Sequence, residues 1–165
     1  MSRLRLASVV LVTLTVALAA YALAEAAHPP AGHVVVNSSD IVWKDAPPVL
    51  PRGAKVAVLR GDPAQEGIFT MRLKVPDGYR IAPHWHPAWE NVTVISGTFW
   101  IGAGERFDTA QGQALRAGGF TAMPPKMAHF AWVEGETEVQ LTAFGPWQLY
   151  YLNPADDPSR AAAGS

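Results

Sequence analysis

The turns of this chain constrain its fold more than anything else in the sequence. Short apolar or alternating segments recur at intervals of about ten residues, each closed by glycine or proline. They cover 54–59, 68–75, 80–86, 90–95, 98–102, 119–124, 129–133, 137–143 and 147–152. The breaks between them include Gly61-Asp62-Pro63, Pro76-Asp77-Gly78, Ser96-Gly97, Gly118-Gly119, Pro124-Pro125 and Gly145-Pro146. With 14 glycines and 14 prolines in 165 residues, long helices have little room. The stretch Ile68–Val75 sets Met71, Leu73 and Val75 against Arg72 and Lys74, the two-residue period of a half-buried strand. Only Thr109–Arg116 offers a turn of helix. The pattern predicts an all-β sandwich or barrel.

The length allows one domain. Hydrophobic residues make up 49% and charged residues 16%, which excludes a disordered chain. The formal charge of −1 comes with no basic stripe, so a nucleic-acid partner is set aside. The absence of cysteine excludes disulfides, thiolate metal sites and cysteine nucleophiles.

Residues 1–24 read as a secretory signal peptide. Arg3 and Arg5 precede an apolar run from Leu6 to Leu23, and Ala22-Leu23-Ala24 supplies a cleavage pattern near Ala24. An uncleaved anchor is the rival reading, because roughly 20 apolar residues span a bilayer. Cleavage predicts a periplasmic or secreted protein with no membrane contact afterwards and a mature charge of −3, from 11 basic and 14 acidic residues. Residues 25–53 read as a lead-in with edge strands at Val34–Val36 and Ile41–Trp43, broken at Ala46-Pro47-Pro48 and Leu50–Gly53. Residues 54–152 form the barrel, and 153–165 a flexible tail. His28 and His33 fall in the lead-in and read as solvated bystanders. The charged start and the lack of cysteine fit a bacterial periplasmic or secreted protein, in which the glycosylation patterns at Asn37 and Asn91 would carry no weight.

The chemistry lies in the other three histidines. His84 and His86 are two apart, so on a strand both imidazoles point to one face. Glu90 follows after Pro87-Ala88-Trp89, and a turn there returns its carboxylate to the same side. His129 comes 39 residues later, after a Pro-Pro turn, where an antiparallel neighbour brings it opposite the first group. Three imidazoles and a carboxylate occupy four positions around an ion and leave about two of an octahedron open. Such a set suits one divalent transition metal, Fe, Mn, Ni or Co, with zinc as an alternative.

These residues resemble a known family. Gly78-x5-His84-x-His86-x3-Glu90-x6-Gly97 matches the first cupin motif at every position, and Gly118-x5-Pro124-x-Lys126-x2-His129 matches most of the second. Lys126 stands where glycine is usual and Val133 where asparagine is usual; neither position is a ligand in cupins. The chain is similar to small single-domain bacterial cupins. The resemblance implies a double-stranded β-helix, or jelly-roll barrel, with the metal at one end held by His84, His86, Glu90 and His129. It also implies a homodimer.

Strand alternation sends Trp85 to the outer face, between the inward histidines, and Trp89 likewise. Val92 and Val94 share the face of Glu90, and Ala131 that of His129. Met71, Gln140 and Thr142 are further candidates for the pocket lining, Met123 and Met127 weaker ones, and Lys126 reads as a turn cap. The expected pocket is dry, with room for a modest organic ligand. Three functions follow. One is a metal-dependent enzyme of oxidoreductase or dioxygenase type, with Glu90 as the catalytic proton acceptor for a small organic substrate. The second is a non-catalytic periplasmic metal or small-molecule binding or sensor module. The third is a barrel used for assembly, against which the complete ligand set speaks.

Overall fold

The computed structural model describes residues 32–162, and the compact unit that starts at Val36 carries the fold. The signal segment, the cleavage site and His28 lie outside the described residues, as do the last three positions. Among the described residues nine strands follow one another: β1 (Lys44–Asp45), β2 (Lys55–Arg60), β3 (Gly67–Val75), β4 (Arg80–Trp85), β5 (Glu90–Ala103), β6 (Gly112–Arg116), β7 (Phe120–Met123), β8 (His129–Gly145) and β9 (Tyr150–Tyr151). Every pairing is antiparallel. The result is an all-β jelly roll.

Two long strands build it. One half of β8, Thr137–Gly145, pairs with β3 on one edge and with the start of β5 on the other. Its other half, from His129, pairs with β4 and with the end of β5. β5 likewise carries β7 beside its first half and β6 beside its second. Both strands change direction together, where the register slips between Val94, Ser96 and Thr98. The sheet therefore folds over on itself there. The sequence predicts breaks at Ser96-Gly97 and Gly135; the structure makes them bends, so 90–95 and 98–102 are one strand, as are 129–133 and 137–143.

Gly97 is required at this bend. Its φ is +80°, and a Cβ there would lie 2.3 Å from Thr137 Oγ1 and 2.6 Å from the Glu136 carbonyl oxygen. Thr137 is fully buried, and its hydroxyl donates to the Gly135 carbonyl at 3.1 Å.

The two-residue period puts Phe69, Met71, Leu73 and Val75 of β3 into the core with Val92 and Val94 of β5 and Val139, Leu141 and Ala143 of β8. The stretch 129–133 of β8 is buried on both faces. Phe130 and Trp132 turn outward but lie under Phe107, at 4.9 and 5.5 Å between ring centroids. Residues 104–111 cover this part of the barrel, and Thr109–Gln111 is a 3-10 turn capped by Asp108. Gly112 then opens β6, where a helical turn is the sequence expectation.

At the lead-in, Val34–Val36 and Ile41–Trp43 carry no strand; the first pairing is Lys44–Asp45 with β2. The Tyr79 hydroxyl donates to the Pro51 carbonyl at 2.8 Å and Tyr151 to that of Val49 at 2.9 Å. These bonds hold Leu50 into the barrel, where it is buried. The predicted strand 147–152 shrinks to β9, and the tail carries a 3-10 turn at Pro154–Asp156 and a short helix at Pro158–Ala162.

Candidate metal centre

The strand ends gather the histidines. His84 on β4 and His129 on β8 are direct partners in the ladder, with ring centroids 4.2 Å apart. His86 follows β4 and places its ring 5.0 Å from His84 and 5.4 Å from His129. One ring nitrogen of each lies within 4.8 Å of the other two. Glu90 opens β5, and its Oε2 stands 3.4 Å from His86 Nε2 and 3.9 Å from His129 Nε2. All four side chains are buried.

Hydrogen bonds at Nδ1 orient the rings. His84 Nδ1 lies 2.7 Å from the Ala82 carbonyl, His86 Nδ1 2.7 Å from that of Gln148, and His129 Nδ1 2.9 Å from that of Met127. A carbonyl only accepts, so Nδ1 carries the hydrogen and Nε2 keeps its lone pair. This is the arrangement that fixes a metal-ligating imidazole. His86 Nε2 is buried and has no hydrogen-bond partner in the protein. A donor atom left this way costs stability unless it meets a ligand.

The electrostatics agree. Burial holds the His84 ring well below its ordinary value, helped by the like charge that His129 and His86 would carry. Burial pushes His86 down to about 4, and lowers His129 against the pull of the Met127 carbonyl and Glu90. At neutral pH all three rings are uncharged, the form that binds metal. Burial raises the Glu90 carboxyl, opposed by His129 and by a hydrogen bond from Trp147. Three neutral nitrogens and a buried carboxyl, with an orphaned nitrogen among them, fit a divalent ion.

The cavity beside these groups is small. Its volume is about 30 Å³, room for one or two waters. Its remaining wall is apolar and includes Leu50, Phe99, Leu141 and Leu149. Of the residues proposed as lining, Val92 and Ala131 border it and Met123 joins them. Met71 and Val94 are buried in the adjacent core, outside this wall. Gln140 and Thr142 are half-buried on the opposite face of β8, where Gln140 accepts from Arg72 Nε at 3.3 Å and Thr142 bonds Thr70 at 3.0 Å. Alternation separates them from Val139, Leu141 and Ala143, and the apolar set is the one that turns inward.

Trp85 lies half-buried and stacks on Tyr150 at 4.3 Å, while Trp89 is exposed. Lys126 has φ +65° and donates its backbone N–H to the His86 carbonyl at 2.8 Å. The left-handed backbone explains why glycine is usual in this motif position. Among the site residues that escape a sequence reading, two stand far from the motifs. Leu50 belongs to the predicted lead-in, and Trp147, whose indole N–H donates to Glu90 Oε1 at 3.1 Å, lies 57 residues from its partner.

The ChrR cupin-like domain model matches residues 31–148. The chain belongs to this family of cupin-like domains. Its fold is similar to the polyketide cyclase RemF from Streptomyces resistomycificus, at 12% identity and TM-score 0.64, covering 79% of this chain and 93% of that one. It is similar to KdgF from Halomonas sp., at 19% identity and TM-score 0.53 over 69% and 94% of the two chains. It is also similar to a sugar phosphate isomerase of the cupin superfamily from Silicibacter pomeroyi DSS-3, at 13% identity and TM-score 0.56 over 72% and 82%. At these identities the likeness is one of fold. No curated protein matches the chain in sequence.

Proposed function

We propose that this cupin-like domain holds one divalent transition metal, Fe, Mn, Ni or Co, through His84, His86, His129 and Glu90, and serves as an enzyme of oxidoreductase or dioxygenase type on a small organic substrate. The observation that carries the metal site is the convergence of three buried imidazoles whose Nδ1 atoms are tied to carbonyls, beside an unpartnered Nε2 of His86. A bound ion would act as a Lewis acid on a substrate oxygen and would serve as a redox centre. The chain itself supplies a dry apolar wall, which favours a substrate with one polar end and an apolar body. Glu90 supplies a buried carboxylate that can accept a proton from that polar end, and burial has already raised its affinity for one.

The size of the cavity favours a second reading. With about 30 Å³ open, the folded barrel has space for an ion and a water rather than for an organic molecule. Of the alternative reading, a non-catalytic metal or small-molecule binding or sensor module, that observation supports the metal-binding form. The N-terminal segment, with Arg3, Arg5 and the apolar run to Leu23, supports delivery to the periplasm or secretion.

Elemental analysis of the untagged protein tests the metal site: about one equivalent is expected. No metal, even after exposure to each ion, sinks it. Oxygen uptake by the loaded protein with diketones and phenols separates the readings. Turnover supports the enzyme, and tight metal binding without turnover supports the binding module.

A further inference from the structure

Trp147 stands at the edge of the centre and makes two contacts with it. Its indole Nε1–H donates to Glu90 Oε1 at 3.1 Å, and its ring stacks on His86 at 5.6 Å with the planes 19° apart. With Oε1 engaged, the oxygen that faces the imidazoles is Oε2, 3.4 Å from His86 Nε2 and 3.9 Å from His129 Nε2. The backbone places the indole. Trp147 N–H donates to the Pro63 carbonyl at 2.7 Å. Gly145, two residues earlier, lets the end of β8 approach the 62–65 turn: a Cβ there would lie 2.2 Å from the Gln65 carbonyl oxygen. Trp147 also lines the cavity wall.

We infer that Trp147 is a positioning residue that holds Glu90 as a one-oxygen ligand. The indole N–H occupies Oε1, so the carboxylate presents Oε2 alone to the ion, and the stacked ring limits the swing of His86. This deepens the metal-site reading above and rests on it. The chemistry is that of an outer partner fixing a ligand's orientation, whose loss costs about 10- to 100-fold in metal affinity. Freed of the indole, Glu90 can turn both oxygens inward and fill a position otherwise left for a substrate.

Cobalt(II) is the probe, read by its visible absorption and by titration on the full protein. Trp147→Phe keeps a stacking ring and removes the N–H. Its cobalt dissociation constant is expected to rise about tenfold or more, with a changed band pattern. In the Glu90→Ala background the same substitution is expected to add nothing, because the indole acts through the carboxylate. Wild-type affinity and bands in Trp147→Phe, or a full additional loss in the Glu90→Ala background, overturn the inference and leave the metal site standing. Failure of the wild-type protein to take up cobalt overturns both. One wild-type measurement holds even if Trp147→Phe does not fold. The assigned Trp147 indole resonance is expected to shift on zinc addition while that of Trp43, whose ring packs under Lys74 rather than against any of the four site residues, stays; an unmoved Trp147 resonance overturns the inference.

Discussion

Three buried imidazoles share one small space here, and the His86 Nε2 has no partner in the protein. His129 is the most informative to remove, since it comes from β8, whereas His84 lies on β4 and His86 just after it, and it faces Glu90 as well. In His129→Ala, metal content is expected to fall from about one equivalent to a tenth or less, measured by plasma mass spectrometry. Unaltered content would mean that the ion sits elsewhere. Lys126 is informative in the opposite sense. It bears a left-handed φ of +65° with no benefit visible from its exposed side chain. Left-handed backbone costs a non-glycine residue roughly 1–2 kcal/mol, and glycine gives part of that back through its freer unfolded state. Lys126→Gly is therefore expected to stabilise by up to about 1 kcal/mol in urea unfolding, with metal binding kept. A loss of stability would show that the lysine side chain contributes to the turn.

The elements that matter most are β5 and β8, because each serves both halves of the roll. Their shared bend sets the angle at which the strand ends bring Glu90, His129 and His84 together. Gly97 is the tightest point of that bend, closed in by Thr137 and the Glu136 carbonyl. Gly97→Ala adds a methyl group where none fits, on backbone that disfavours it, and is expected to cost about 2–4 kcal/mol in denaturant unfolding. A cost below about 0.5 kcal/mol would show that the bend relaxes freely. The metal site should weaken in parallel, since its ligands stand at the ends of the bent strands. Gly78→Ala is the control: it shares the positive φ, but its added Cβ would meet nothing within 4 Å. It should cost less.

At the scale of the molecule, the buried histidines make the metal-free protein sensitive to acid. The folded His86 value of about 4 lies below the ordinary 6.5, and His84 and His129 are shifted the same way. The unfolded chain therefore takes up protons first as pH falls. Stability is fully present above about pH 6.5 and declines toward pH 4, at about 1.4 kcal/mol per pH unit from His86, with His84 and His129 acting in the same direction. Glu90 is shifted upward and offsets part of this. Thermal unfolding in chelator should show that decline; a flat profile from pH 7 to 4.5 would mean that the rings are charged in the fold. Exposed Ile68 and Phe144, partners across β3 and β8, and exposed Phe120 on β7 offer apolar surface to a second copy. Light scattering at twice the chain mass would support the homodimer that the cupin resemblance implies, and a monomer would remove it.

The sequence by itself determined what is local or periodic. Regular turns gave the all-β class, and alternation gave the one-sided placement of His84 and His86, because a strand repeats every two residues whatever packs against it. The motif spacing likewise brought Glu90 and His129 into the candidate set. Alternation also separates Gln140 and Thr142 from Val139, Leu141 and Ala143, but it does not say which set turns inward: the sequence expectation places Gln140 and Thr142 in the pocket lining, and the folded barrel buries the apolar set instead. The tertiary structure decided the rest. Whether Ser96-Gly97 breaks a strand or bends it depends on Thr137, forty residues away, filling the space a side chain would need. The place of Leu50 in the cavity wall depends on the hydroxyls of Tyr79, just before β4, and Tyr151 on β9, and the indole at Glu90 depends on a bond between Trp147 and the Pro63 turn. No short-range period encodes such contacts, since they exist only once the sheet has folded over on itself.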